Sequence, residues 1–177
     1  LYSANALLKI IEEPNEKLLF ILIHNNSKKI IKTIQSRCII FKNNFSYDEN
    51  LSIASNLAND DLKKIFNESI INHYLTVGDF LYLYNFSKNN NIDIKKLLLN
   101  NLLLFLINFK IYKNNSDLIN LTFKLIEFYF YHSFLNSKNL DIYKLYEYFI
   151  KKIDYTNKFN LDIESLFLEF KSKVMNE

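Results

Sequence analysis

The sequence predicts a mainly α-helical protein that opens with the end of an α/β layer, one or two parallel strands, and three observations carry that prediction. Glycine and proline occur once each in 177 residues, so the residues that hairpins and tight turns demand are scarce, as they are in long helices. From about Asp93 onward, apolar-rich stretches alternate with clusters of Asn, Asp and Ser, the rhythm of capped helices in a bundle. Near the start stands an unbroken apolar run of strand length, Leu18 to Ile23. With 49% hydrophobic and 23% charged residues, the chain buries a real core and is not a disordered tail.

The elements follow in order. Ala4 to Glu13 is a helix with Ser3 as its N-cap, ended by Pro14, because the residue before a proline is pushed out of the α region. Leu18 to Ile23 is apolar on both faces, as a buried parallel strand is, and Cys38 to Phe41 is a candidate neighbouring strand. Ser46 and Glu49 have the spacing of a capping box, so a helix begins there. A second helix is expected from Asp61 to Tyr74, with Leu62, Ile65, Phe66, Ser69 and Ile70 on one face. Thr76-Val77-Gly78 punctuates the chain before a short amphipathic helix, Asp79 to Phe86. Four longer helices are expected at Ile94–Tyr112, Ser116–Leu135, Asp141–Ile153 and Asp162–Met175, each led by an Asp or Ser. They form a bundle, with a helical solenoid as the structural alternative. The greasiest stretch, Leu97 to Phe109, is interrupted by Asn100 and Asn101 and falls short of the roughly 20 apolar residues of a spanning helix; it reads as a buried core helix.

Charge and cysteine usage exclude more than they assign. A formal net charge of +3 does not diagnose nucleic-acid binding, which depends on clustering. Cys38 is the only cysteine and His24, His73 and His132 are scattered, so no internal disulfide or zinc-ligand spacing exists and a reducing cytoplasm fits. Cys38 itself reads as a small buried residue. The chain begins with Leu and no signal sequence is evident, so its N-terminus is taken as a cut inside a longer protein. Phe123, Phe128, Tyr129, Phe130, Tyr131 and Phe134 read as core or subunit interface, with base stacking as the alternative.

The most informative residues are Asn5-Ala6-Leu7-Leu8-Lys9-Ile10-Ile11-Glu12-Glu13-Pro14, then Phe20-Ile21-Leu22-Ile23-His24-Asn25, then Thr33-Ile34-Gln35-Ser36-Arg37-Cys38. This series resembles the AAA+ clamp-loader family, whose members read NALLK-x-x-EEP, a buried strand with a polar tip, and T-I-x-S-R-C, in this order and with close to this spacing.

The resemblance implies roles that the residues' chemistry supports. Arg37 would be an arginine finger directed at the γ-phosphate of ATP in a neighbouring subunit, with Thr33, Ser36 and Cys38 as the supporting motif; the plain alternative is a surface arginine pairing with a carboxylate. A guanidinium stays charged and offers a planar fork to phosphate oxygens. His24 and Asn25 stand at the position resembling sensor 1, or are an ordinary polar strand end. Lys9, Glu12 and Glu13 form a solvated face or a subunit contact. Around Gly78, the segment Leu75 to Leu81 resembles the family's lid motif, in which the ATP-hydrolysing gamma/tau subunits carry a sensor 2 arginine three residues after the glycine. Leu81 stands in its place here, and an apolar side chain makes no phosphate contact, as in the non-hydrolysing delta-prime class. The usual Gly-Ser-Pro-Gly of that class is absent.

By this resemblance residues 1–44 are the C-terminal part of an AAA+ α/β core, 45–90 a helical lid and 91–177 a helical collar for oligomerisation. The implied function is a non-catalytic subunit that supports sliding-clamp loading in DNA replication. It would bind no cofactor itself, with ATP and Mg in the neighbour. The implied partners are the gamma/tau ATPase subunits and delta, with the sliding clamp and primer-template DNA reached through the complex. The alternatives are an ATP-hydrolysing gamma/tau-type subunit and a purely structural helical interaction module.

Overall fold

The computed structural model describes residues 11, 19–24 and 30–175. The chain divides into two compact units, Leu1–Asn44 and Phe45–Glu177. The mainly helical fold class is what the sequence predicts: among the described residues there are eight α-helices and no strand.

In the first unit the described residues form one helix, α1 (Lys32–Gln35), a single turn in which Ile34 is buried. The strands expected at Leu18–Ile23 and Cys38–Phe41 do not form among the described residues. Leu19, Ile21 and Ile23 are 85%, 76% and 96% exposed, and Ile39 and Phe41 are 85% and 83% exposed. A strand exists only through a ladder partner for its backbone N–H and C=O groups, and no partner lies among the described residues. The helix expected over Ala4–Glu13 lies outside the described residues except for Ile11.

The second unit begins where the capping box places it. Helix α2 (Tyr47–Ala58) starts after Ser46, whose Oγ accepts from the Glu49 N–H while its own N–H donates to Glu49 Oε2 at 2.7 Å. Helix α3 (Leu62–Ile65) is one turn, not the helix to Tyr74 that the apolar spacing predicts. Two asparagines account for the difference. Asn67 Oδ1 accepts from the Ser69 N–H and Asn72 Oδ1 from the Tyr74 N–H, each at 2.9 Å, while Asn72 Nδ2 donates to the Ile70 carbonyl at 2.8 Å. Such side chains offer the backbone a partner that competes with the helical ladder. The apolar pattern still reaches the core, with Leu62, Phe66, Ile70 and Leu75 all buried.

Helix α4 (Val77–Asn89) starts before Asp79 because Thr76 is its N-cap and Asp79 the third helical residue: the Thr76 N–H donates to Asp79 Oδ2 at 2.8 Å, and the Asp79 N–H to Thr76 Oγ1. Helix α5 (Leu99–Asn108) is shorter than expected and is followed by a 3₁₀ turn, Ile111–Asn114; it buries Leu99, Leu102, Leu103, Leu106 and Ile107, the core helix the sequence predicts. Helices α6 (Ser116–Ser137), α7 (Leu140–Phe159) and α8 (Ile163–Phe170) are capped by Asn115, Asn139 and Asp162, and a π turn, Lys171–Met175, follows α8. Helix α7 runs on past the expected end at Ile153.

A chain with one glycine must still end its helices. Asn59, Asn91, Lys110, Lys138 and Asn160 take the left-handed conformation, with φ between 50° and 52°. Asparagine tolerates that region through its short polar side chain; the two lysines carry its steric cost.

Aromatic side chains fill the core between α6, α7 and α8. The Phe130 ring stacks on Phe149 with centroids 5.6 Å apart and meets Phe170 edge-on at 5.8 Å; all three are essentially fully buried. Phe66 and Phe80 stack at 6.0 Å beneath α4. Ion pairs tie the helices at their rims. Asp79 pairs with Lys124, joining α4 to α6, and Glu169 on α8 collects Lys152, Lys173 and the Tyr148 hydroxyl. Lys110 and Lys113 converge on Glu164. These donors hold Glu164 and Glu169 well below the usual carboxylate range, at about 2 each. Among the described residues, no helix is long and apolar enough to cross a membrane.

Candidate functional site

The site residues of the first unit gather on the turn that closes α1. The chain enters at Ile31 with φ −60° and ψ 131° and leaves through Ser36, still in the right-handed helical region. The Arg37 N–H donates to the Ile34 carbonyl at 3.1 Å and the Cys38 N–H to the Gln35 carbonyl at 3.3 Å. The backbone of the Ser-Arg-Cys triplet is thus wound as a continuation of the helical turn.

Side chains reinforce that winding. The Thr33 carbonyl accepts from Ser36 Oγ at 3.1 Å and from Arg37 Nη1 at 2.8 Å, and Arg37 Nη1 also reaches Ser36 Oγ at 3.4 Å. A cation over the last carbonyls of a helical turn is in its favourable place. Thr33, Ser36 and Arg37 are exposed, whereas Ile34 points inward. The turn therefore has an apolar anchor on one side and a solvent-facing polar edge on the other. Cys38 is half-buried rather than buried as expected; the chain after it is exposed and without regular secondary structure, which leaves its thiol only partly covered.

The other sequence-predicted residues are placed less informatively. His24 is exposed, in the stretch 19–24 that has no regular secondary structure; Asn25, Lys9, Glu12 and Glu13 lie outside the described residues. Gly78 and Leu81 belong to the second unit, on α4. Gly78 sits in the first turn of α4, and a Cβ there would meet only Thr76 Oγ1, at an ordinary 3.8 Å. Nothing local requires glycine at this position. Leu81 is half-buried against the hydrophobic core. Among the described residues no group of His, Cys, Asp and Glu is arranged to hold a metal ion.

Sequence reading missed the polar groups that the tertiary fold brings together. Asp79 caps α4 and pairs with Lys124, 45 positions away. Asp60 accepts from the Tyr84 hydroxyl at 2.8 Å, and Lys88 donates to the same hydroxyl. Only the Thr76–Asp79 spacing was readable in advance, as an N-cap followed by an acid; the long-range partners have no sequence signal.

Residues 1–45 match the family described as "DNA polymerase III, delta subunit". Over 50 residues, 28% of the chain, it is 48% identical to "DNA polymerase III subunit gamma" of Buchnera aphidicola subsp. Schizaphis graminum (strain Sg). Over 39 residues, 22% of the chain, it is 54% identical to "DNA polymerase III subunit delta'" of Buchnera aphidicola subsp. Baizongia pistaciae (strain Bp). The matched stretches span 14% and 12% of those two proteins. No solved structure matches the chain. Residues 1–45, which include the Thr33 to Cys38 turn, thus match a DNA polymerase III family, and stretches of the chain are similar to two DNA polymerase III subunits.

Proposed function

We propose that the chain is part of a delta-prime-type clamp-loader subunit, one that hydrolyses no ATP itself and lends Arg37 to the ATP site of a neighbouring gamma/tau subunit. In this reading residues 1–44 end an AAA+ core, 45–90 act as a lid and 91–177 as an oligomerising collar that also meets delta; the assembly loads the sliding clamp at primer-template DNA. The observation that carries the reading is the T-I-Q-S-R-C turn, with an exposed arginine wound onto the end of α1.

The geometry supplies a mechanism. Arg37 Nη1 donates to the Thr33 carbonyl at 2.8 Å, which holds the guanidinium at the exposed end of the turn. A guanidinium offers phosphate oxygens a planar fork of donors, so an ATP γ-phosphate presented at this edge is a ligand that its chemistry suits. Charge accumulating on the transferring phosphoryl group is then stabilised only when the two subunits are assembled, and an arginine supplied in trans accelerates such reactions by about 10³ to 10⁵. Leu81 supports the non-hydrolysing half of the reading, since it packs against the core and brings no charge to a phosphate.

Replacing Arg37 in the reconstituted complex tests this. Arg37→Ala is expected to depress ATP hydrolysis by the partner subunits with assembly intact, and Arg37→Lys to restore little, because an ammonium lacks the planar fork. Unchanged turnover in both variants would refute the finger.

A second reading, an ATP-hydrolysing gamma/tau-type subunit, draws on the similarity to a gamma subunit. It predicts ATP hydrolysis by the protein without partners, which the delta-prime reading excludes.

A further inference from the structure

One face of α6 holds a half-buried carboxylate set among aromatic rings. Burial raises the Glu127 carboxyl above its ordinary value, and the nearby His73 opposes that shift. Among the described residues no hydrogen bond or ion pair reaches this carboxylate. Lys124, the cation one helical turn earlier, is engaged by Asp79 instead. The Glu127 charge is close enough to Tyr74 and Tyr146 to help raise both phenols, after burial.

The rings beside it come from α6 and from the loop that precedes α4. His73 meets Tyr131 at 5.3 Å and 79° and Phe128 at 6.3 Å and 88°, while Tyr74 meets Tyr131 at 6.3 Å and 75°. Tyr131 is 41% exposed, and His73 and His132 are exposed as well. Glu127, Phe128 and Tyr131 share one side of the helix by their spacing.

We propose that this face docks an arginine side chain of a partner protein, with the guanidinium paired to the Glu127 carboxylate and stacked on the exposed rings of His73 and Tyr131. Charge complementarity selects that occupant. An apolar partner would strip water from Glu127 and leave its carboxylate with no hydrogen bond and only the nearby His73 imidazole to offset the loss, which is unfavourable. A guanidinium supplies a planar fork for the carboxylate and a flat cation for the rings, and it is more weakly hydrated than an ammonium. The sequence has a single arginine, Arg37, so a second copy of this chain could offer no other.

The probe is N-acetyl-arginine amide, titrated into the protein and read by NMR at the ring signals of His73, Tyr74, Phe128 and Tyr131. N-acetyl-citrulline amide, the neutral isostere, is the control. Binding in the roughly millimolar range is expected for the arginine probe alone. Glu127→Gln should weaken it about tenfold and Tyr131→Ala about threefold, with circular dichroism confirming that both variants fold. Equal response to citrulline, indifference to Glu127→Gln, or no ring shifts would overturn the proposal. So would self-association lost equally in Glu127→Gln and Arg37→Lys, which would assign the face to a second copy. Failure of the arginine probe to bind at Glu127 leaves the partner's ATP hydrolysis untouched, so this inference and the Arg37 reading fail separately.

Discussion

Among the described residues, the first unit carries almost all of the recognisable chemistry and almost none of the core, and the second unit reverses that. Among the described residues, Ile34 is the one buried hydrophobic of the first unit. The continuous core runs from Leu51 to Phe170, entirely within the second. The motif residues are exposed and held by short-range hydrogen bonds within one turn. The core residues are held by rings and ion pairs far apart in sequence. Recognition and stability are therefore separable here, and substitutions should tell them apart.

The largest stability effect is expected at Phe130. Truncating this ring, which touches Phe149 and Phe170, should cost about 3–5 kcal/mol in urea denaturation, whereas Arg37→Ala should stay within about 0.5 kcal/mol of wild type. A large loss at Arg37 would break the division between the units.

Next comes Asp79, which caps α4 and pairs with Lys124. Asp79→Ala removes both roles and should cost about 2 kcal/mol. Lys124→Met keeps the cap and should cost about half of that by the same denaturation measurement.

Acid sharpens the picture further. Lysine hydrogen bonds lower Glu169 and Glu164 from 4.5 to about 2 in the folded chain. Their contribution is present above the unfolded value and is lost as pH falls through the folded one, so thermal stability should decline between about pH 4.5 and 2. Glu169→Gln should flatten part of that decline. Glu127 acts with the opposite sign: its raised folded value makes protonation favour the fold.

A small gain in stability is expected at Gly78. Its Cβ position is open, so Gly78→Ala should stabilise α4 by about 0.5–1 kcal/mol through the unfolded chain. Loss of the proposed clamp-loading activity in this variant, with the melting temperature raised, would mark the glycine as functional rather than structural.

How much of this was legible in the sequence depended on range. The Ser46–Glu49 box and the apolar core helix at Leu99–Asn108 were readable because each is written within a few residues. The helix through Asn67 and Asn72 was misread because apolar spacing persists while asparagine side chains capture the backbone. The strand expected at Leu18–Ile23 does not form among the described residues, because apolarity reports a wish for burial and pairing depends on residues elsewhere. The Glu127 face was invisible, since His73 and Tyr131 meet only in the folded chain.

The central claim is that Arg37 completes an ATP site that belongs to another subunit. Single-turnover hydrolysis by the assembled complex, with assembly verified by sedimentation, measures it directly. The account predicts that Arg37→Ala slows the chemical step by about a thousandfold or more while ATP still binds; a chemical step as fast as wild type, in a fully assembled complex, would contradict it.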